Sequence, residues 1–458
     1  MTRRLGVALA LVAVFGIGLI AVGTATAAKK SKTFEVCEFG CKYKSIQKAV
    51  DKSKKNATIL IEPGKYKEGV IVEGHKHDGL TIKGTNKNAK KTVLDGKNAK
   101  TPDGPAQNAI QFIDVNDATV ENMTVKNYLS NGIFLRDSNP GDTGNGKIDC
   151  NDYLVKNVIA SFNRSYGIYA FGCAGGTITK SVGYGHGDSA FYIGATPIQK
   201  KPKTTKLTKL EAYENVLGYS GTNSRYVKIT QGNWYNNGAG IVPNTLDSEP
   251  FEPAADGIIE NNNIFWNNFN YFLPNSRVQT VSNGLGEIEG VGTLQYPTGI
   301  GVVLFGADGW IVRNNNIFGN FKWGVAEFSD PFNEGDNATS RNNQVIDNVM
   351  GKGGTDTNAV DFWVDGSGTG NCFSGNVSST FDPSPSATDA ELYPPCPPSS
   401  TVTPGASGTS FGNTDQLGEL IGYVTSDPPE NQECSWTRHD HPAFEKFKPL
   451  TVTPGPTC

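Results

Sequence analysis

Aromatic, acidic and basic side chains recur together between residues 131 and 194. Three aromatic rings in this stretch could line one face of a sheet as a platform for sugar rings; they are Phe134, Tyr169 and Phe191, with Tyr192 nearby to orient sugar hydroxyls. Groups that could transfer a proton or bind a carboxylate lie beside them; they are Asp188, Asp137, His186 and Arg136. This combination predicts a carbohydrate-binding site, with the second set as its catalytic candidates. The competing interpretation is that the connection 139–151 covers the rings.

Two groups of carboxylates are candidates for Ca²⁺, which takes about six to eight oxygen ligands. They are Asp247, Glu249, Glu252 and Asp256, and farther along Glu327, Asp330, Glu334 and Asp336. Neither group has the spacing of a known calcium loop, and solvated acidic loops are the alternative. The pairs His75 with His77 and His439 with His441 offer two nitrogens each, too few for a metal site. No cofactor is predicted beyond Ca²⁺ as a candidate, and the metal is left open.

The candidate residues belong to a strand pattern that recurs along the chain. Its copies begin at residues 108, 131, 166, 188, 217, 238, 298, 323 and 358. Between them recurs an Asn or Ser placed just before an apolar residue, at Asn122, Asn157, Ser181, Asn215, Asn233, Asn263, Asn316, Asn348 and Asn376. Repeats of this kind with variable spacing indicate the coils of a solenoid whose loops differ in length.

The composition agrees with a chain of many short strands. There are 54 glycines and only 3 methionines in 458 residues, and 19% of the residues are charged, a balance that favours an all-β protein over a helical one. Equivalent strands of successive coils would stack about 4.8 Å apart. Stacked Asn amides can hydrogen-bond from coil to coil as a ladder at a sharp corner. We therefore predict a parallel β-helix of about ten coils.

Two N-terminal segments strengthen this prediction. SIQKAVD at 45–51 resembles a capping helix, and TILIEPGKYKEGVIV at 58–72 resembles the entry strands of the pectate-lyase-like superfamily. With the repeats, they identify a resemblance to that superfamily, particularly to its secreted bacterial members. The resemblance covers about residues 43–380 and implies a right-handed parallel β-helix solenoid. It implies no single activity, because this scaffold carries lyases, hydrolases, esterases, epimerases and non-catalytic binders.

The catalytic motifs of the superfamily are incomplete in this chain. The Asp-Asp motif of polygalacturonases, the catalytic segments of pectate lyases and pectin methylesterases, and the epimerase motif Asp-Pro-His-Glu do not occur. Only Gly185-His186-Gly187 resembles the polygalacturonase Gly-His-Gly turn. We therefore expect a protein that interacts with extracellular polysaccharide without a specific assignable activity. A polysaccharide lyase or glycoside hydrolase acting on uronates is the alternative, and whether the protein is an enzyme is left open.

The ends of the chain predict export and caps. Residues 1–27 resemble a signal peptide, with Arg3 and Arg4, an apolar run and a small-residue cleavage site, although an uncleaved anchor is the alternative. We divide the rest into an N-terminal cap with the first coils (28–107), the β-helix core (108–380) and a Pro/Ser/Thr-rich linker with a C-terminal cap (381–458). Eight cysteines in an exported chain suggest disulfides. The favoured pairs are local: Cys37 with Cys41, Cys150 with Cys173, Cys372 with Cys396 and Cys434 with Cys458.

Charge is divided unevenly along the chain. Residues 28–100 contain 18 Lys and 8 acidic residues, whereas the chain from 101 onward contains 21 basic and 37 acidic residues. A basic end could hold an anionic polysaccharide, although a solvated lysine-rich cap is the simpler interpretation. No nucleic-acid motif accompanies the lysines. The expected partner is thus a polysaccharide, with an anionic polymer as one candidate. We predict a secreted, extracellular monomer that does not contact the membrane once the signal is cleaved.

Overall fold

The computed structural model describes residues 32–140, 147–269, 271, 278, 286–288, 292–294, 298–330, 337, 339–377, 381–382 and 393–396. The predicted signal segment, the pair Cys434 with Cys458, and the histidines at 439 and 441 lie outside the described residues. So do Glu334 and Asp336. No helix within the described ranges is long and apolar enough to cross a membrane.

Two large parallel sheets contain most of the strands. The larger sheet has twenty strands: β1 (Thr33–Val36), β2 (Thr58–Ile61), β3 (Gly64–Tyr66), β5 (Thr81–Gly84), β6 (Thr92–Asp95), β10 (Thr119–Lys126), β12 (Leu154–Ser161), β14 (Gly176–Thr179), β15 (Val182–Tyr184), β17 (Thr205–Thr208), β18 (Glu211–Tyr213), β20 (Val227–Thr230), β21 (Asn233–Tyr235), β23 (Ile258–Glu260), β24 (Asn263–Phe265), β28 (Ile311–Arg313), β29 (Asn316–Phe318), β31 (Gln344–Ile346), β32 (Val349–Met350) and β34 (Cys372–Ser374).

The second sheet has eleven strands: β4 (Val70–Glu73), β9 (Ile110–Ile113), β11 (Ile133–Arg136), β13 (Ile168–Phe171), β16 (Ser189–Gly194), β19 (Leu217–Thr222), β22 (Ala239–Asn244), β27 (Ile300–Phe305), β30 (Trp323–Phe328), β33 (Val360–Val364) and β35 (Phe381–Asp382). Two hairpins pair β7 (Lys100–Thr101) with β8 (Gly104–Pro105), and β25 (Gly286–Ile288) with β26 (Gly292–Leu294). The short helices are α1 (Ile46–Asp51), α2 (Gly351–Gly354) and the 3-10 turns His75–His77 and Ala89–Lys91.

The register of the eleven-stranded sheet defines the architecture. Its strands pair in parallel with the equivalent strand of the next coil, so β11 pairs with β9 on one side and β13 on the other. Ile133 lies opposite Ile168, and Ile168 lies opposite Phe191. All three are buried in one core that continues along the axis. The chain is a right-handed parallel β-helix, as the repeats predict.

Buried polar side chains form ladders at the corners of the coils. Asn215, Asn237 and Asn267 each accept, through the side-chain oxygen, a hydrogen bond from the backbone amide of the preceding coil. The chain of contacts continues through Asn320 to Asn358. A second ladder runs through Asn262, Asn315, Asn348 and Asn376. The predicted single Asn column is therefore wrong in detail, because its members belong to separate ladders at different corners.

The described cysteines form disulfides at three places. Cys37 is bonded to Cys41, Cys150 to Cys173 and Cys372 to Cys396, which are the local pairs that the spacing favours. At the N-terminal end, α1 packs against β1, β2 and β4. The Glu68 carboxylate accepts hydrogen bonds from the first amides of this helix, at 2.8 and 3.1 Å, where free N–H groups need acceptors.

Candidate functional site

An aromatic row lies on the outer face of the eleven-stranded sheet. Phe134 on β11 lies opposite Tyr169 on β13, which lies opposite Tyr192 on β16. The rings of Phe134 and Tyr169 are stacked, with centroids 4.5 Å apart and planes inclined by 13°. Tyr192 instead meets Tyr169 edge to face at 77°, and Tyr166 packs against both tyrosines. The row therefore begins as a stack and ends with a turned ring.

The prediction that Phe191 belongs to this row is wrong by one residue of register. Phe191 is fully buried and packs against Trp234 in the interior, whereas Tyr192 occupies the outer position. All six residues of β16 are buried, so the strand shows no alternation of apolar and polar residues to define its inward face. A one-residue shift moves every side chain to the other face, which explains the error.

Glu249 completes the row from a distant loop. The Tyr192 hydroxyl donates to both oxygens of the Glu249 carboxylate, at 3.0 and 3.1 Å. Burial, with the negative charge of Asp188 nearby, raises the pKa of Glu249 to about 7, although the Tyr192 hydrogen bond opposes this rise. Burial also raises the pKa of Tyr192 and Tyr169 well above the ordinary value. The site therefore holds a carboxyl group that is about half protonated at neutral pH.

The loop 245–254 that carries Glu249 is fixed to the coil below it. The Asn223 side-chain amide donates to the backbone oxygens of Leu246, Glu249 and Pro250, at 2.8, 2.7 and 3.2 Å. Its side-chain oxygen accepts from the Leu246 amide at 3.1 Å. Nothing in the sequence pattern links Glu249 to the row, because the contact joins residues 57 positions apart through a loop.

Two of the predicted catalytic candidates, Asp188 and Arg136, lie near the aromatic row. Asp188 is partly exposed, and its charge raises the pKa values of both Glu249 and Tyr169. Arg136 lies on β11 two residues after Phe134, on the same outer face, and its positive charge opposes the rise at Tyr169. The site thus combines three aromatic rings, two carboxyl groups and one guanidinium.

Asp137 and His186 do not join this site. The two Asp137 oxygens accept hydrogen bonds from the backbone amides of Asn139 and Asp149, at 2.9 and 2.8 Å, so this carboxylate fixes the connection after β11. His186 is completely buried. His186 occupies a position of the first ladder that Asn occupies in later coils. Its Nδ1 accepts a hydrogen bond from the Asn163 backbone amide at 3.3 Å, and its own backbone amide donates to the Asn215 side-chain oxygen.

The resemblance of Gly185-His186-Gly187 to a catalytic turn has a structural explanation. Gly185 has a φ of +72°, and a side chain there would overlap the Phe162 ring, so only glycine fits. Burial lowers the pKa of His186 to about 4, which leaves the ring neutral at physiological pH. The motif turns a corner of the β-helix, and the prediction of His186 as a proton-transfer residue is wrong because the ring has no access to solvent.

The acidic groups considered for Ca²⁺ separate in the structure. Glu249 belongs to the row, Asp256 lies 3.9 Å from Arg225, and Glu327 is buried inside the β-helix. Among the described residues, no three His, Cys, Asp or Glu side chains are arranged to hold a metal ion. The His75 ring contacts the carboxylates of Asp78 and Asp149 at 3.2 and 3.1 Å, a surface polar cluster.

Glu327 and Asp365 form a buried acidic pair inside the C-terminal coils. Burial raises the pKa of Glu327 to about 7 and that of Asp365 to about 6. Asn343 and Ser340 donate to one Glu327 oxygen, both at 2.9 Å, and Ser367 donates to Asp365 at 2.6 Å. Both side chains are buried, at 3% and 4% exposure, so we assign the pair to the core, where the second Glu327 oxygen has no hydrogen-bond partner among the described residues.

Several solved structures resemble this backbone. The A-module of a mannuronan C-5 epimerase from Azotobacter vinelandii aligns at 16% identity and TM-score 0.46, over 73% of this chain and 94% of that chain. The catalytic domain of a GH87 alpha-1,3-glucanase in complex with nigerose aligns at 12% and 0.44, over 81% and 69%. A DFA-IIIase from Arthrobacter chlorophenolicus A6 aligns at 11% and 0.42, over 69% and 83%.

These similarities are too distant to say anything about the chemistry of the site. No family model matches the chain, and no curated protein matches its sequence. The class rests on the molecule itself: parallel strands in register from coil to coil around one apolar core make it a right-handed parallel β-helix protein. Its outer face carries an aromatic row with two carboxyl groups.

Proposed function

We propose that this protein binds polysaccharide outside the cell, on the outer face of β9, β11 and β13. The observation that supports this most is the stacked and partly exposed pair Phe134 and Tyr169. Rigid aromatic rings offer apolar area at little cost in conformational entropy, and a few polar groups beside them can orient hydroxyls. Disulfide-bonded cysteines support an oxidising, extracellular compartment.

The charges at the row favour an acidic polysaccharide. Arg136 provides a guanidinium on the same face as Phe134, and guanidinium groups pair with carboxylates in two parallel hydrogen bonds. At the other end, Glu249 carries a carboxyl whose pKa is about 7, so it loses much of its repulsion for an anionic sugar. A polymer with a carboxylate near Arg136 and hydroxyls near Glu249 fits this distribution.

A second candidate function is cleavage of the bound polysaccharide. The observation that favours it is the raised pKa of Glu249 beside the carboxyl of Asp188. A general acid works best with a pKa near the operating pH, and a second carboxylate can act as base or nucleophile. In this case Glu249 would donate its proton to the glycosidic oxygen. Binding remains our first proposal because the catalytic motifs of the resembling enzymes are incomplete.

One experiment tests both functions. Purified protein is incubated with polygalacturonate, alginate, xylan and laminarin, with and without Ca²⁺, while ultraviolet absorbance, reducing ends and retention in polymer-containing gels are followed. Retention without product supports binding, and product identifies an enzyme. If all four polymers show no retention and no product, the proposal is contradicted.

The variant Glu249→Gln separates the two functions. It keeps the shape and hydrogen-bonding capacity of the protonated side chain but cannot release a proton. A binding protein should keep its retention within about threefold, whereas an enzyme should lose at least about a hundredfold in rate. Asp247→Asn is the matched control, because Asp247 is an exposed carboxylate of the same loop.

A further inference from the structure

The outer face of the eleven-stranded sheet is open at one end and closed at the other. Along the row of equivalent outer positions, Gln111, Phe134 and Tyr169 are partly exposed. The row continues through Tyr192, Ser220 and Val242, which are 2%, 6% and 8% exposed. The change falls between β13 and β16. A ligand that lies along the row therefore reaches a boundary at Tyr192.

The neighbouring outer positions show the same boundary. Arg136 and Phe171 are partly exposed, whereas Thr222 and Asn244, farther along the sheet, are 4% and 8% exposed. The covered side chains also bond to one another, since the Asn244 amide donates to the Thr222 hydroxyl at 3.0 Å. Both lines of outer residues are thus buried on β16, β19 and β22, and the second line becomes partly exposed again only at Phe305 on β27.

The loop 245–254 forms a wall at this boundary. Besides the Asn223 contacts, the Arg225 guanidinium donates to the backbone oxygens of Phe251 and Glu252, at 3.4 and 2.9 Å. The Ala254 amide donates to the Thr245 hydroxyl at 3.0 Å, which ties the two ends of the loop together. Hydrogen bonds at its start, middle and end make this wall part of the scaffold.

The wall presents a hydrogen-bonding group to the row. The Glu249 side chain extends from the loop to Tyr192, two coils toward the N-terminus from β22, where the loop begins. The last partly exposed ring, Tyr169, is therefore followed by the partly exposed Glu249, whose carboxyl group accepts from the buried Tyr192 hydroxyl. Terminal sugars differ from internal ones in carrying a free hydroxyl where the chain would continue, and a carboxyl group at the boundary can bind such a hydroxyl.

We propose that this site binds the end of a polysaccharide chain, with the terminal sugar against the Glu249 carboxyl and the next sugars on Tyr169 and Phe134. This inference rests on the proposed binding function. Three adjacent strands span about 10 Å, so the row accommodates a short terminal segment. An internal stretch of polymer would have to continue past the wall, where every residue of β16, β19 and β22 is buried.

The stoichiometry of binding tests this inference. Short and long fractions of polygalacturonate, alginate, xylan and laminarin, each of known mean length, are titrated into the protein by calorimetry. For a polymer that binds, we expect one protein per chain at every length, since each chain has one end of the recognised type. A number of bound proteins that grows in proportion to chain length would overturn the inference while leaving the binding function intact. Absence of binding to all four polymers would overturn the binding function itself.

A pair of variants locates the recognised end. Glu249→Ala should lower the affinity for the short fractions about tenfold, and Asp247→Ala should leave it unchanged, because Asp247 is an exposed carboxylate of the same loop. Thermal unfolding of both variants checks that the fold is retained. Equal affinities for Glu249→Ala and the unaltered protein would show that the wall does not touch the ligand. The stoichiometry measurement stands even if a variant fails to fold.

Discussion

Two columns of aromatic side chains run along the outside of this β-helix and are built differently. The aromatic ladder on the twenty-stranded sheet consists of Tyr184, Tyr213, Tyr235, Phe265 and Phe318. Its neighbouring rings lie 4.9 to 5.3 Å apart, and their planes are inclined by only 5° to 19°. The row on the eleven-stranded sheet has one such stacked pair, Phe134 with Tyr169, and then Tyr192 turned by 77°.

The two columns differ in whether their ring faces are covered by protein, and this difference suggests different roles for them. In the ladder each inner ring has a neighbour on both faces, and Trp266 packs edge-on against Phe265, so no ring face remains for a ligand. In the row the stack stops where the Glu249 carboxyl meets Tyr192, and the rings before it stay partly exposed. We infer that aromatic stacking from coil to coil stabilises the solenoid, and the proposed binding function places the ligand where the stack is interrupted.

The largest effect is expected from Phe265→Ala in the ladder. Phe265 is 1% exposed and stacks between Tyr235 and Phe318, so its removal leaves a cavity with neighbours on every side. Large-to-small substitutions of buried Phe cost about 3–5 kcal/mol. Chemical denaturation should show a loss of this size, with polysaccharide retention unchanged. Tyr184→Ala at the more exposed end of the ladder is the control and should cost less than half as much.

His186 should make the fold sensitive to acid. Its pKa is about 4 in the folded protein and about 6.5 when unfolded, so the unfolded chain binds the proton first as the pH falls. The free energy of unfolding should therefore decrease between pH 6.5 and 4, by about 3 kcal/mol for this group. His186→Asn supplies the ladder oxygen without a titrating ring, and should flatten this part of the profile. An unchanged slope in the variant would assign the acid sensitivity to other groups.

The contrast also shows what the sequence could predict. The repeated strands and the Asn positions predicted the parallel β-helix, because every coil must turn the same corners and fill the same core. The position of Phe191 could not be predicted, since a strand buried on both faces has no polar residue to define its register. Glu249 could not be assigned either. Its role depends on where a loop of another coil folds, and local periodicity contains no such information.

A substitution in the exposed row should weaken polysaccharide binding more than it lowers stability, which is the reverse of the effect expected in the ladder. Phe134→Ala removes half of the stacked pair, and we expect about a tenfold loss in affinity for polysaccharide, or about 1.4 kcal/mol. The free energy of unfolding should change by less than in Phe265→Ala, because Phe134 is partly exposed. Affinity is measured by calorimetry and stability by denaturation. Retained affinity together with a large loss of stability would place Phe134 with the ladder and move the binding face elsewhere.

The sharpest test of the contact between Tyr192 and Glu249 is a pH dependence of binding. The pKa of Glu249 is about 7, so under the proposed function it should donate a hydrogen bond to a sugar hydroxyl below that pH and repel an anionic sugar above it. Affinity for polygalacturonate should fall about tenfold between pH 6 and 8, and Glu249→Gln should abolish this dependence.

Two further variants should move the midpoint of that dependence in opposite directions. The Tyr192 hydroxyl stabilises the ionised carboxylate, so Tyr192→Phe should raise the pKa of Glu249 and shift the midpoint to higher pH. The charge of Asp188 has the opposite effect, so Asp188→Asn should shift the midpoint to lower pH. Both shifts in one direction, or none, would show that a group other than Glu249 titrates. Opposite shifts would tie ligand binding to the contact that interrupts the aromatic stack.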